Sequence, residues 1–334
     1  MSKFLFSFGV IVFGLLLGYA IRVLADREIL RLPMEMERLR KLILQSALVT
    51  LLPVTVVGAV WAIRITDPRI GTLPFLGGFA LSLGGAFALV ISRILRLGRS
   101  QTGSLFVCGY FTNLGAIGGL ICYVFLGEAG FGFVPIYRLF EEFLYYLIGF
   151  PVAKVYGTEV GRKESISTRL RELSRDPFLR VSVSSLLIGG MLNLSGIKRP
   201  DLYQTVNSFL IPLTSIVFLV PLGMVMRIGR VQHYWRECIL VSLVKFVIVP
   251  AVVTSLALLL GYQNIGDGLL LKVVLILSSM PVAFMALIPP SLYDLDIDLA
   301  NSCWLFTTAM LVVVLPVLYV VIQLFSPFLG SSGL

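Results

Sequence analysis

A lysine sits in the middle of an apolar run, Val241-Ser242-Leu243-Val244-Lys245-Phe246-Val247-Ile248-Val249-Pro250. An ammonium at that depth is expensive in hydrocarbon and too far from either end to reach the interface, so Lys245 reads as part of a binding site or a fixed charge network. Glu141 and Glu142 are the only carboxylates deep inside an apolar run, and Arg138 precedes them by three and four residues, within reach on one helix face. Two roles are open for this group: an internal ion pair, or a carboxylate that takes up and releases a proton during work. Two further segments combine polar side chains with residues that disturb a helix. One is Phe111-Thr112-Asn113-Leu114-Gly115-Ala116-Ile117-Gly118-Gly119; the other is Leu277-Ser278-Ser279-Met280-Pro281-Val282-Ala283-Phe284, followed by Pro289-Pro290.

Other residues carry less. His233, the only histidine, lies in the basic loop Arg230-Val231-Gln232-His233-Tyr234-Trp235-Arg236 and reads as an interfacial surface residue. Asp294, Asp296 and Asp298 alternate in a way that suits a hard cation, but a calcium site needs six or more oxygens, and a solvated loop cap explains them better. Cys108, Cys122, Cys238 and Cys303 stand singly in apolar runs without metal spacing and read as packing. Paired metal-binding histidines, a nucleophile elbow and a phosphate loop are all missing, so neither an enzyme nor a cofactor or metal is expected.

The elements that must position these residues are membrane helices. The 334 residues are 57% hydrophobic and 13% charged, with a mean hydropathy of +0.95, where a soluble domain carries about 25% charged residues. Apolar runs long enough to cross roughly 30 Å of hydrocarbon recur along the chain. Ten spans are predicted: 4–24, 40–63, 70–95, 104–126, 132–153, 178–195, 204–227, 237–262, 268–290 and 299–325. The first is too long for a signal-peptide core and lacks a small-residue cleavage site after it, so it is kept as a span.

The formal net charge of +9 does not point to nucleic acid, because the basic residues fall between apolar runs rather than in a stripe. Alternate loops divide them unevenly. One side collects Arg22, Arg27, Arg31, Arg38, Arg40 and Lys41, then Arg93, Arg96 and Arg99, then Lys154, Arg162, Lys163, Arg169, Arg171, Arg175 and Arg180, then Arg227, Arg230 and Arg236; the other has Lys3, Arg64, Arg69, Lys198 and Arg199. The rule that cytoplasmic loops are basic puts the richer side in the cytoplasm and both termini outside, in a plasma (inner) membrane.

The longest polar stretch, Thr158 to Asp176, follows span 5. It gives a first five-helix group over 1–156, a cytoplasmic central loop over 157–177 and a second group over 178–334. With five spans per group, the second must enter from the opposite side, so homology between the halves would be an inverted repeat. Mid-membrane prolines in spans 2 (Pro53) and 7 (Pro212 and Pro221), and interruptions in spans 4 and 9, fall at matching places. Broken backbone at membrane depth is tolerated only where protein or a watery cavity satisfies it, and paired interrupted helices are the best sequence pointer to a carrier's binding site. If the breaks cross, half-helix N-termini offer N–H groups and positive dipole ends to a carboxylate. Asn113, Ser278 and Ser279, with the backbone around Gly115, Gly118 and Pro281, would then bind substrate. The plainer alternative is that the glycines only allow close helix packing.

At these residues the chain resembles the auxin efflux carrier family of membrane transporters. Asn113, Gly115 and Gly118 fall where that family has Asn-Thr-Gly-x-x-Gly-x-Pro, followed by Gly127-Glu128-Ala129-Gly130 in place of its Gly-x-x-Gly turn. Asp176-Pro177, Pro200, Lys245, Pro250, Met280-Pro281, Tyr293, Asp296, Thr307-Thr308 and Pro316 extend the likeness over nearly the whole chain. Leu114 replaces the motif threonine and Leu120 its proline. The resemblance implies an all-α fold of ten transmembrane helices in two inverted five-helix repeats, with broken helices 4 and 9 crossing. It also implies elevator-type carriage of small organic anions such as carboxylates, of a bacterial type because the central loop is short. A sodium- or proton-coupled symporter or antiporter, drawing on Lys245, Glu141, Glu142 and Arg138, is an alternative; a non-transporting membrane sensor subunit is another. The expected partners are the anion, the lipid bilayer and, compatibly with this reading, a second copy in a homodimer.

Overall fold

The computed structural model describes residues 2–30, 32–63, 65, 67–157, 171, 174–175, 177–226 and 231–329. Most of the central loop, including Asp176, lies outside the described residues, as do Arg31, Arg64, Arg162, Lys163, Arg169, Arg227 and Arg230 from the charge count.

Among the described residues the secondary structure is helical, with no strand longer than a single bridge. Seven stretches are long and apolar enough to cross a bilayer: Leu5–Asp26, Met36–Ala62, Pro68–Ile94, Leu114–Tyr156, Leu202–Gly223, Trp235–Leu259 and Ile297–Leu324. Leu179–Leu194 and Leu269–Ser278 are shorter apolar helices. The chain is thus a polytopic, all-helical membrane protein. The stretch Leu114–Tyr156 has 43 residues, roughly twice what one crossing needs. It is broken at Gly127, whose φ of +75° belongs to the left-handed region that suits glycine.

The helices form two compact units, each drawing on both halves of the chain. Unit 1 comprises Met1–Thr66, Gly115–Pro135 and Pro177–Met226; unit 2 comprises Asp67–Leu114, Ile136–Asp176 and Arg227–Leu334.

In unit 1, α1 (Ser2–Asp26) packs on α10 (Leu202–Gly223), and α3 (Leu52–Ala62), which continues α2 (Met36–Ser46), packs on α9 (Pro177–Leu194). Lipid tails are as apolar as leucine, so such pairs gain by close backbone approach rather than by escaping water. Gly14 and Gly18, one turn apart, meet Leu219 and the Val220 carbonyl, while Gly223 meets the Leu15 carbonyl. The Asn193 amide donates to the Val60 and Trp61 carbonyls at 3.0 and 3.1 Å and to that of Ile63, satisfying the end of α3.

Unit 2 contains α4 (Leu73–Ile94), α5 (Arg99–Tyr110), α7 (Glu141–Leu144), α8 (Phe150–Tyr156), α11 (Trp235–Leu243), α12 (Val249–Leu259), α13 (Leu269–Ser278), α14 (Ile288–Leu292) and α15 (Ile297–Leu329). The helix α6 (Gly119–Tyr137) runs from unit 1 into its start. Gly84 of α4 and Gly109 of α5 each abut the other's carbonyl. Five-residue π turns at Ala47–Leu51, Tyr145–Gly149 and Val244–Ile248 each end two residues before a proline: Pro53, Pro151 and Pro250. A proline ring has no N–H and crowds the carbonyl four residues back, and a widened turn relieves both problems.

Candidate functional site

Unit 2 contains two helix breaks that cross. The helix α5 stops at Tyr110, and Phe111-Thr112-Asn113 run unwound before the π turn Leu114–Gly118. The helix α13 stops at Ser278, and Ser279 to Ala283 run unwound before the short 3₁₀ turn Phe284–Leu287. Thr112 and Val282 pair in an isolated antiparallel bridge. On either side of it the Asn113 N–H donates to the Pro281 carbonyl at 2.9 Å, and the Ala283 N–H donates to the Phe111 carbonyl at 3.2 Å. The Val282 N–H is taken by the Thr307 hydroxyl of α15 at 3.2 Å. Two strands of unwound backbone thus satisfy each other where water is scarce, as buried backbone must.

Lys245 reaches this crossing from the π turn between α11 and α12. The residue is 2% exposed, and its ammonium donates to the Phe111 carbonyl at 3.1 Å and to the Thr112 hydroxyl at 2.7 Å. Phe111 is the first carbonyl beyond α5, where the helix dipole is negative, so a cation is favoured there. Both partners are neutral oxygens.

The second group of ionisable residues meets the same backbone from the other direction. Arg138 Nε lies 2.6 Å from Glu141 Oε2, and Arg138 Nη2 lies 3.7 Å from Glu142 Oε1. The Tyr145 hydroxyl accepts from the Thr112 N–H at 2.9 Å and stands within donating distance of Glu141 Oε1 (3.1 Å) and the Thr112 carbonyl (3.2 Å). Its ring stacks on Phe111 with centroids 4.1 Å apart. Arg138, half-buried, and the buried Glu141, Tyr145, Thr112 and Lys245 therefore form one polar chain that grips the first break.

Of the residues singled out for substrate, unit 2 brings together Asn113, Ser278, Ser279 and Pro281, all buried. Gly115 and Gly118 lie beyond the boundary, in unit 1. The unwinding falls on Phe111–Asn113, whereas Gly115 and Gly118 belong to the π turn that follows. Leu114 opens that turn and Leu120 is buried in regular α6, so neither the missing threonine nor the missing proline coincides with the unwound residues. The Ser278 and Ser279 hydroxyls both donate to the Leu275 carbonyl, at 3.2 and 2.7 Å. As arranged they offer a neighbour only lone pairs, which suit a donor better than an anion.

Thr112, Tyr145 and Thr307 were not singled out as site residues. Tyr145 left a usable signal, since it stands four residues after Glu141 and shares its helix face. Asp296 caps α15 by accepting from the Leu299 N–H at 2.9 Å, and the Tyr234 hydroxyl donates to its carboxylate at 2.9 and 3.1 Å. His233 lies edge-on to Tyr234. Cys238 and Cys303 meet with sulfurs 3.9 Å apart, so the thiols that are single in sequence are not all single in space.

No family model matches the chain. It is 23% identical over 241 residues, 72% of its own length and 75% of the relative's, to a protein of Methanothermobacter thermautotrophicus named an uncharacterized transporter. It is 28% identical over 246 residues, 72% of its length and 73% of the relative's, to a protein of Methanocaldococcus jannaschii that also carries the name uncharacterized transporter. This likeness supports a transporter family and suggests a role other than catalysis. With the apolar helices it supports a multi-pass membrane protein.

Proposed function

We propose that this chain is a secondary carrier of small organic anions, working by alternating access. The observation that carries the reading is the crossing of two helix breaks with a buried ammonium beside it. A carrier must hold its cargo and let it go, and unwound backbone in a membrane serves that purpose better than it serves stability. Among the described residues Lys245 has no acidic partner at the crossing, which favours a cargo that brings negative charge.

In this reading the chain crosses the membrane ten times, with Leu114–Tyr156 counted as two crossings and the α5 and α13 segments as the first halves of the broken spans. The five-helix halves 1–156 and 178–334 are inverted repeats, and both termini lie outside the plasma membrane. Unit 2, which holds the crossing, is the elevator and unit 1 its anchor, to which a second copy would bind. The resemblance to the auxin efflux carrier family at Asn113, Lys245 and Met280-Pro281 supports the same choice, as do the names of the archaeal relatives. A proton-coupled version is favoured by one specific feature, the unbroken polar chain from Glu141 through Tyr145 and Thr112 to Lys245.

Flux of labelled carboxylates into proteoliposomes tests the reading. Saturable uptake by the wild type that is lost in Lys245→Met and Thr112→Val supports it. Undiminished uptake in both variants would remove the crossing from the mechanism. Uptake that also collapses when the proton gradient is dissipated selects the coupled version.

A further inference from the structure

Unit 1 holds a half-buried ion pair that the crossing does not use. Glu128 follows Gly127, the residue at which α6 is broken. Both its oxygens are gripped: Arg199 Nη1 donates to Oε1 at 2.5 Å, Arg199 Nη2 to Oε2 at 2.9 Å, and Asn207 Nδ2 to Oε1 at 2.6 Å. The donors have anchors of their own. Arg199 Nη1 also donates to the Gly58 carbonyl at 2.8 Å, and Asn207 Nδ2 to that of Thr55 at 3.3 Å. A guanidinium fork and an amide, each tied to the backbone of α3, make a receptor for any carboxylate.

Glu128 also borders a half-open cavity of about 440 Å³ within unit 1, large enough for a small molecule. Phe6, Val124 and Pro212 give it apolar walls, while Tyr123, Gln204 and Ser208 supply polar groups. An anion receptor, its own carboxylate sitting in it, and a cavity of ligand size therefore lie side by side in one unit.

We propose that Arg199 and Asn207 form a second carboxylate-binding site, which Glu128 fills in the empty protein and surrenders to the carboxylate of a ligand. The ligand is a carboxylate with an apolar body: its charged end takes the fork and its body lies against Phe6, Val124 and Pro212. The exchange swaps one carboxylate for another on the same fork, so the half-buried Arg199 is never left without a counter-charge, which is the costly alternative. Glu128, hinged beside Gly127, turns toward the polar side of the cavity that it already lines. This inference rests on the proposed function only in taking organic anions as ligands.

Equilibrium binding of radiolabelled phenylacetate to the purified full chain tests it. Freeing the fork removes the competitor, so Glu128→Gln binds at least about tenfold more tightly than the wild type if Glu128 occupies the site nine-tenths of the time. Adding Arg199→Gln to that variant abolishes the gain. Glu128→Asp, too short to reach both donors, is the second route, with a smaller gain of the same sign. Binding that is no tighter in either Glu128 variant, or a gain that survives Arg199→Gln, overturns the proposal. Flux lost in the crossing variants but no gain in binding sinks this site alone; a gain in binding beside undiminished flux in the crossing variants sinks the crossing alone.

Discussion

In unit 1 the half-buried carboxylate of Glu128 meets a guanidinium and an amide that match it donor for acceptor, beside the break at Gly127 and among helices wedged together at glycines. In unit 2 the buried ammonium of Lys245 meets, among the described residues, a carbonyl and a hydroxyl but no carboxylate, beside helices that stop and restart. A paired buried charge is already neutralised. An unpaired one pays its desolvation in full and persists only where something else is gained. If both proposals hold, the difference separates two kinds of anion recognition: in unit 1 an anion would have to displace a competitor, and in unit 2 it would supply a missing charge.

The largest effect expected concerns the packing that both units share. A side chain at Gly18 would fall on the Val220 carbonyl, which no rotamer change can move out of the way. Gly18→Val should therefore cost more than the roughly 1–3 kcal/mol of ordinary overpacking, against a typical total of about 5–15 kcal/mol. The expected outcome is no monodisperse peak in size exclusion. Gly109→Val should do the same in unit 2, because Gly109 abuts the Gly84 carbonyl. Gly9 has open space around it, so Gly9→Ala is the harmless control. A tolerated Gly109→Val would show that the interrupted unit also packs loosely.

Lys245→Met comes next and separates function from stability. It leaves two acceptors without a donor, a loss of about 1–3 kcal/mol, but it also removes a charge that costs about 2.5–3.5 kcal/mol to hold at the centre of a membrane helix. The two nearly cancel, so the melting temperature should barely move while carboxylate flux falls by about two orders of magnitude. A variant that loses flux and stability together would make Lys245 a structural strut rather than a binding residue.

How much of this could be read beforehand follows from the kind of signal each feature leaves. Apolar runs and loop charges announce membrane helices because the bilayer imposes length and composition directly. Lys245, Arg138 and Glu141 stood out because charge is rare in such runs. That they belong to one chain was hidden, since the links are Thr112 and Tyr145, residues ordinary in any membrane helix. The unwinding at Phe111–Asn113 lies just before the glycines that suggested it, because a π turn can absorb Gly115 and Gly118 while the crossing backbone of Pro281 to Ala283 holds the preceding residues open. Glu128 and Arg199 are 71 residues apart, and Arg199 reads as a loop charge until the fold brings them together.

Tyr145→Phe tests the link itself. It keeps the ring that stacks on Phe111 but strips the acceptor from the Thr112 N–H, which is then buried with no partner. The expected loss is about 1–3 kcal/mol in reversible unfolding, and a fall in flux with a changed dependence on the proton gradient if the chain carries protons. A loss of stability with flux and coupling intact would leave the chain as scaffolding.

The smallest effect belongs to a pair at the surface. Asp67 accepts from the Arg69 backbone N–H at 2.8 Å and from its guanidinium at 2.6 Å, and these bonds hold the Asp67 carboxyl below its ordinary value of 3.8. With the folded value depressed, the contribution to stability is present above the unfolded value and is lost as pH falls through the folded one. Around neutral pH Asp67→Asn should lower the melting temperature by at most about one degree, as for other exposed pairs. As the pH falls through that depressed value, the difference between wild type and variant should vanish. Arg69 also donates to the Gly261 carbonyl at 3.1 Å, a bond that the substitution spares. A drop of several degrees, comparable to that of Tyr145→Phe, would mean that this corner of unit 2 depends on charge pairing as closely as Glu128 and Arg199 do in unit 1.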